Sequence, residues 1–173
     1  ALAITDHGVV QAFPEAAQYG IKYGIKIIYG IECYLYDDSQ SFLSGDADSF
    51  DDEYVVFDLE TTGLNPNTDT IIEIGAVRIK DRKIIDRFST FVNPGRPIPQ
   101  NITRITGIND GMVKDAPKPN EALPAFLHFI GSSALAAHNA EFDISFVKKL
   151  SDKNGMSFHR PHIDTLGFSR LML

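Results

Sequence analysis

Tyr54-Val55-Val56-Phe57-Asp58-Leu59-Glu60-Thr61-Thr62-Gly63 is a β-branched and aromatic run that ends in two acids and a turn. Residues i and i+2 of a strand share a face, so Asp58 and Glu60 project side by side while Phe57 and Leu59 point into the opposite layer. Val55, Val56 and Phe57 mark the strand as buried. Two carboxylates at this spacing repel unless something positive lies between them, and buried charges are rarely left unpaired. Hard oxygen donors suit Mg²⁺ or Mn²⁺. The competing reading is an Asp-x-Glu on a solvent-exposed strand face. Thr61-Thr62-Gly63 turns the chain at the strand's end.

Downstream, Thr70–Lys80 and Lys83–Val92 read as two more strands joined by the polar Asp81-Arg82 turn, an antiparallel meander. Pro94, Pro97 and Pro99 stop the sheet. A short helical stretch over 101–108 and a helix over 120–130 follow, then a buried strand at Ala134–Ala137. Phe142, Phe146 and Leu150 place an amphipathic helix over Glu141–Leu150. A strand around Ile163 and a helix from Leu166 end the chain. Meander strands followed by alternating helices and strands predict an α/β fold with a mixed sheet.

A second polar cluster, His138-Asn139-Ala140-Glu141-Phe142-Asp143, opens that amphipathic helix. Asp143 falls in its first turn, where the helix dipole favours an anion. Phe142 is expected to face the core and Asp143 the rim. An ordinary helix start, with Asn139 as N-cap, explains the same residues.

Upstream, Leu2-Ala3-Ile4, Val9–Tyr23 with Pro14 interrupting it, and Ile25–Tyr36 read as strand, helix and strand, with Thr5-Asp6-His7-Gly8 as a turn. One βαβ unit over 1–36 is too small to fold alone. Residues 37–53 hold seven acids and no Lys or Arg, the composition of a flexible linker. A third segment then occupies 54–173.

The net charge of −7 is unevenly spread: residues 1–53 carry −8, and residues 54–173 carry 14 Lys and Arg against 13 Asp and Glu. The acidity therefore does not count against a polyanionic substrate. No apolar run reaches membrane-spanning length. The single cysteine, Cys33, excludes an internal disulfide and suits a cytoplasmic protein. The opening residue is Ala, and the chain is expected to be an excised fragment.

Four motifs in order resemble the DEDD exonucleases of the ribonuclease-H-like fold, specifically the proofreading exonucleases of bacterial DNA polymerase III. They are Asp58-Leu59-Glu60-Thr61-Thr62-Gly63, Ile71-Ile72-Glu73-Ile74-Gly75-Ala76-Val77, Ile105-Thr106-Gly107-Ile108 and the His138–Asp143 cluster. Ile4-Thr5-Asp6-His7-Gly8 and Tyr29-Gly30-Ile31-Glu32 resemble pieces of a polymerase-and-histidinol-phosphatase (PHP) domain, within which PolC-type polymerases carry their exonuclease. By that likeness His7 and Glu32 would be vestigial PHP metal ligands. The domain's opening His-x-His is absent, so a βαβ remnant with a shaped turn is the preferred reading.

The resemblance implies hydrolysis of the terminal phosphodiester at a DNA 3′ end, single-stranded or frayed, with two divalent cations. Asp58 would bridge the ions, Glu60 would help bind the first, and Asp143 would hold the second. Thr61 and Thr62 backbone N–H groups would bind the terminal nucleotide, with Leu64 as an apolar wedge against its base and His138, Asn139 and Phe142 nearby. Partners would be the DNA end and the rest of the polymerase polypeptide, with no membrane.

The family's third motif pairs a carboxylate with a general-base His five residues earlier. His159 and Asp164 have that spacing, but Asp164 follows Asp143 by only 21 residues, far closer than the family places it. Asp164 is read instead as a helix N-cap. The base and fourth ligand are expected beyond Leu173, leaving this chain weakly active or inactive. An RNA- or oligonucleotide-degrading enzyme and a non-catalytic binding module both stay open.

Overall fold

The computed structural model describes residues 1–7, 10–32, 42–45 and 53–172. The chain divides into two compact units, Ala1–Gln40 and Ser41–Leu173.

In the first unit β1 (Leu2–His7) and β2 (Ile27–Glu32) pair in parallel across α1 (Phe13–Tyr23). Asp6 and His7 continue the strand rather than turning away, because each has a register partner in β2, Ile31 and Glu32 respectively. Pro14 does not interrupt the helix. It sits in the first turn, where its missing N–H costs nothing. Gly20 lets α1 press on β2: a Cβ there would lie 2.7 Å from the Ile27 side chain.

The second unit is built on a six-stranded sheet. Its strands are β3 (Leu43–Ser44), β4 (Glu53–Thr61), β5 (Ile71–Lys80), β6 (Lys83–Phe91), β7 (Ala134–Ala137) and β8 (His162–Asp164), in the spatial order β3-β8-β7-β4-β5-β6. β4, β7 and β8 run parallel, while β5 and β6 form the expected antiparallel meander. Its tight turn places Asp81 and Arg82 at φ 49° and 61°, the left-handed pair that a two-residue hairpin matching sheet twist requires.

The helices are α2 (Gln100–Thr106), α3 (Asp110–Val113), α4 (Pro119–Ile130), α5 (Ala140–Lys153) and α6 (Thr165–Met172). No helix among the described residues is long and apolar enough to cross a membrane. α3 escapes sequence reading because a single turn has no period to detect; Asn109 caps it by accepting the Met112 N–H.

The segment 37–53 is described at 42–45 and 53. Its described residues belong to the second unit: Leu43 and Ser44 pair antiparallel with Ile163 and His162, and Glu53 opens β4. Acidic neighbours hide the apolar Phe42-Leu43, which supplies the contact. The rest of the segment, and residues 33–36, lie outside the described residues.

Strand alternation places the core. Val55, Phe57 and Leu59 of β4 are buried against Leu123, Phe126 and Ile130 of α4 and Phe146 and Val147 of α5. Phe126 is fully buried, with ring centroids 5.5 Å from Phe57 and 5.9 Å from Phe88. Ile72, Ile98, Ile108 and Val113 form a second cluster under α2 and α3. Replacing Phe126 by Ala removes the ring shared by three elements. Its expected cost is about 3–5 kcal/mol, read as a drop in the urea midpoint at unchanged m-value.

Candidate active site

β4 outruns its parallel neighbour. β7 keeps register only with Tyr54, Val55 and Val56, so beyond Val56 that edge of β4 has no strand beside it among the described residues. An N–H left unpaired there would be costly. Asp143, in the first turn of α5, fills the gap: its Oδ1 accepts the Leu59 N–H at 3.0 Å. The helix thus clasps the strand at the residue between Asp58 and Glu60.

This arrangement corrects the expectation that Asp143 faces the rim. Asp143 is 2 % exposed, among the most buried side chains of the chain, while Phe142 is only partly buried and packs on Phe146 at 5.1 Å. Helical periodicity places side chains relative to one core face, and it cannot register a strand edge needing an acceptor.

Asp58 and Glu60 do share the face opposite Phe57 and Leu59, and Asp58 is exposed. Opposite Asp58 in register stands Gly75, and opposite Glu60 stands Glu73. An open hollow of about 350 Å³ over this face is lined in part by Val56, Asp58, Gly75, Arg87 and Ser89. Glu73 was missed as a member of the acidic group, because its place across from Glu60 depends on the β4–β5 register, which shifts at a bulge between Glu60 and Thr61.

The electrostatics bind the acids into one system. Burial pushes the Asp143 carboxyl up to about 7, and the charge of Asp58 and, less strongly, that of Glu60 add to it; the Leu59 N–H opposes the shift. Glu60 is likewise raised, first by burial and then by Asp58 and Glu73. Such repulsion is what a cation relieves, and the donors are all carboxylate oxygens, which suit Mg²⁺ or Mn²⁺. Among the described residues, however, no group of three or more His, Cys, Asp or Glu converges closely enough to hold a metal ion.

The second cluster is held differently from expectation. Asn139 occupies the N-cap position but makes no side-chain cap; it lies in the left-handed region at φ 61°, ψ 51°, which Asn tolerates. Its N–H instead donates to Asp164 Oδ1 at 2.9 Å, and the same oxygen accepts the Leu166 N–H at 2.9 Å. Asp164 therefore caps α6, as the sequence suggests, and also pins the turn before α5. His138 Nδ1 lies 3.2 Å from Thr165 Oγ1, whose hydroxyl donates to the Ala137 carbonyl. His159 is exposed.

In the turn after β4, Thr61 and Thr62 are buried and Leu64 is 82 % exposed. Thr61 Oγ1 donates to the Gly63 carbonyl at 2.6 Å. The Thr62 N–H is engaged by the Thr70 carbonyl at 2.9 Å, which corrects its assignment as a nucleotide donor: the hairpin-like closure of this loop uses it. In the first unit, the register places the His7 and Glu32 backbones abreast; the His7 side chain lies outside the described residues.

Two family models match the chain, and they overlap over residues 55–86. The family model described as Exonuclease matches residues 55–173, and the PHP domain model matches residues 1–86. DNA polymerase III PolC-type of Caldanaerobacter subterraneus subsp. tengcongensis is 53 % identical over 171 residues, 98 % of this chain and 12 % of that protein. The Bacillus subtilis protein of the same name is 45 % identical over 178 residues, 99 % of this chain and 12 % of its own length. This chain thus spans only about an eighth of these relatives. Exonuclease X in complex with 5′ overhanging duplex DNA superposes with a TM-score of 0.55 at 31 % identity, covering 69 % of this chain and 63 % of that one. E. coli Exonuclease I in complex with a dT13 oligonucleotide gives a TM-score of 0.63 over 69 % of this chain and 29 % of its own, at 16 % identity, a likeness of fold.

The raised Asp143 pKa fixes the sign of a pH effect. The folded chain holds a proton there that the unfolded chain, titrating at 3.8, has released. The resulting stability is fully present below the unfolded value and is lost as pH rises through about 7. In EDTA, going from pH 5 to pH 8 should cost the parent roughly 1–3 kcal/mol more than it costs Asp143→Asn, compared by urea unfolding. Equal pH slopes in the two proteins would remove Asp143 as the source.

Proposed function

Since the chain belongs to the exonuclease family, with PHP-domain sequence before it, we propose that it removes nucleotides one at a time from DNA 3′ ends, as the proofreading site of a PolC-type replicative polymerase. The carrying observation is the clasp of Asp143 onto Leu59, which joins it electrostatically to Asp58 and Glu60.

Asp58, Glu60 and Asp143 do not converge into a metal-holding group here and would draw together to hold two divalent cations, Mg²⁺ or Mn²⁺. Bound cations would supply charge stabilisation for the attacking water and the departing 3′ oxygen. The chain's own residues do the rest. The Leu59 N–H holds Asp143 by one oxygen, Oδ1. The like charge of Asp58, Glu60 and Glu73 favours cation capture, and Gly75 opposite Asp58 leaves the face above the carboxylate open. Leu64 stands clear of the fold where a terminal base can be met by an apolar side chain. His138, Asn139 and Phe142, just before and within the first turn of α5, would meet the substrate there. The partners are a single-stranded or frayed DNA 3′ end and the remainder of the polymerase polypeptide.

The relatives' shared name, matched over nearly all of this chain, supports DNA over RNA. A 2′-OH distinguishes the two substrates chemically, so paired assays decide. With Mn²⁺ and 3′-labelled single-stranded DNA, the natural polypeptide carrying this chain should release mononucleotides. Asp58→Ala should lower that rate by more than the roughly 10–100-fold that losing an outer-shell metal partner costs. Equal turnover of a 3′-labelled RNA would shift the reading to an oligonucleotide-degrading enzyme, and cation binding without cleavage would shift it to a binding module.

A further inference from the structure

We propose that Asp69 and Arg96 are positioning residues that set the height of the Gly63–Leu64 turn, and through it the discrimination between frayed and paired 3′ ends. The proposal rests on the exonuclease reading above. Its starting point is Leu64, which is 82 % exposed, so its place is set chiefly by the backbone beneath it.

That backbone is anchored to one carboxylate at both ends of the turn. Before it, the Thr62 hydroxyl donates to Asp69 Oδ1 at 3.3 Å and accepts the Thr70 N–H at 3.1 Å. After it, the Asn65 N–H donates to Asp69 Oδ2 at 3.0 Å, while the Asp69 N–H returns to the Asn65 carbonyl at 2.7 Å. Between the two anchors Gly63 wraps the carboxylate so closely that a Cβ would stand 2.5 Å from Asp69 Oδ2. The Asn65 N–H, followed by Arg96 and Thr62, holds the Asp69 carboxyl below its usual range.

Arg96 closes the arrangement from a distant part of the chain. Its Nη2 donates to the Thr62 hydroxyl and lies 2.8 Å from Asp69 Oδ1. It reaches in from the Asn93–Pro97 loop, where the Asn93 side chain accepts the Gly95 N–H at 2.9 Å and Pro97 limits backbone freedom. One nitrogen thus joins a hydroxyl two residues beyond Glu60 to the carboxylate under Leu64.

Energetics separate this role from simple bracing. Arg96 is 43 % exposed, and an ion pair so open to water adds little to stability. Misplacing a substrate-positioning group by about 1 Å, in contrast, costs about a hundredfold in rate. Loss of the pair should therefore appear in end discrimination rather than in melting.

The test uses the natural polypeptide that carries this chain, comparing Arg96→Ala, Asp69→Asn and Arg96→Lys with the parent. Two substrates are followed: DNA with matched or mismatched 3′ ends, and the p-nitrophenyl ester of thymidine 5′-monophosphate, which has no second base for Leu64 to part. Ester hydrolysis at saturating ester should match the parent in the Arg96 and Asp69 variants. The mismatched-to-matched rate ratio should fall about tenfold in Arg96→Ala and Asp69→Asn. Arg96→Lys should restore most of it, because a single nitrogen makes both contacts. Leu64→Ala should lower the same ratio, and Leu64→Ala with Arg96→Ala should lower it no further. An unchanged ratio, an additive double variant, or ester and DNA rates falling together would each overturn the positioning role. A parent that hydrolyses neither substrate would instead sink the exonuclease reading on which it rests.

Discussion

The Leu59 N–H and the Asp143 carboxylate meet where a strand has run past the end of its neighbour. β7 stops after four residues, β4 continues, and the chain leaving β7 turns back as α5 with its first turn facing the vacant edge. A backbone donor buried there needs an acceptor. A carboxylate in a helix's first turn is well placed to be one, since the dipole favours it. One hydrogen bond therefore settles a question of sheet completeness and a question of chemistry together. It fixes the rotation of α5 about its axis, and with it the face that Phe146 and Val147 present to the core.

The same bond carries a cost. A buried carboxylate beside Asp58 and Glu60 resists ionisation, and the strand amide only partly offsets that. The surrounding braces hold the group in place against this repulsion. Asp164 ties the left-handed Asn139 to the cap of α6, so the turn entering α5 is secured by the strand and helix that follow it. Thr165 performs a similar office for His138. Polar residues behind the acids thus help decide where the acids stand, as outer-shell partners do around many metal sites.

Much of this was legible in the residue order. Period-two alternation from Val55 to Thr61 fixed which side chains enter the core and left Asp58 and Glu60 together on the other face. The meander and the strand at Ala134–Ala137 followed from β-branched runs and a polar hairpin turn. The burial of Asp143 was not legible, because it depends on where β4 and β7 end relative to each other, a property of two segments some eighty residues apart. Arg96 on Thr62 and Asp69 is hidden for the same reason: no spacing rule links residues brought together by a proline-rich return. Composition alone does not show the short strand Leu43–Ser44, which lies among seven acids between residues 37 and 53.

That strand redraws the outline of the second unit. Phe42 accepts the Asp164 N–H through its carbonyl at 2.7 Å and sets its ring on Phe168 at 5.5 Å, while Leu43 and Ser44 run beside β8. A bare β8 would present a row of unpaired amides, the template on which foreign strands add. Residues preceding the exonuclease-like motifs thus form part of the catalytic unit's outer wall. An excision made at the jump in charge, just before Tyr54, would leave every acid of the site in place and open the sheet's far flank to self-association.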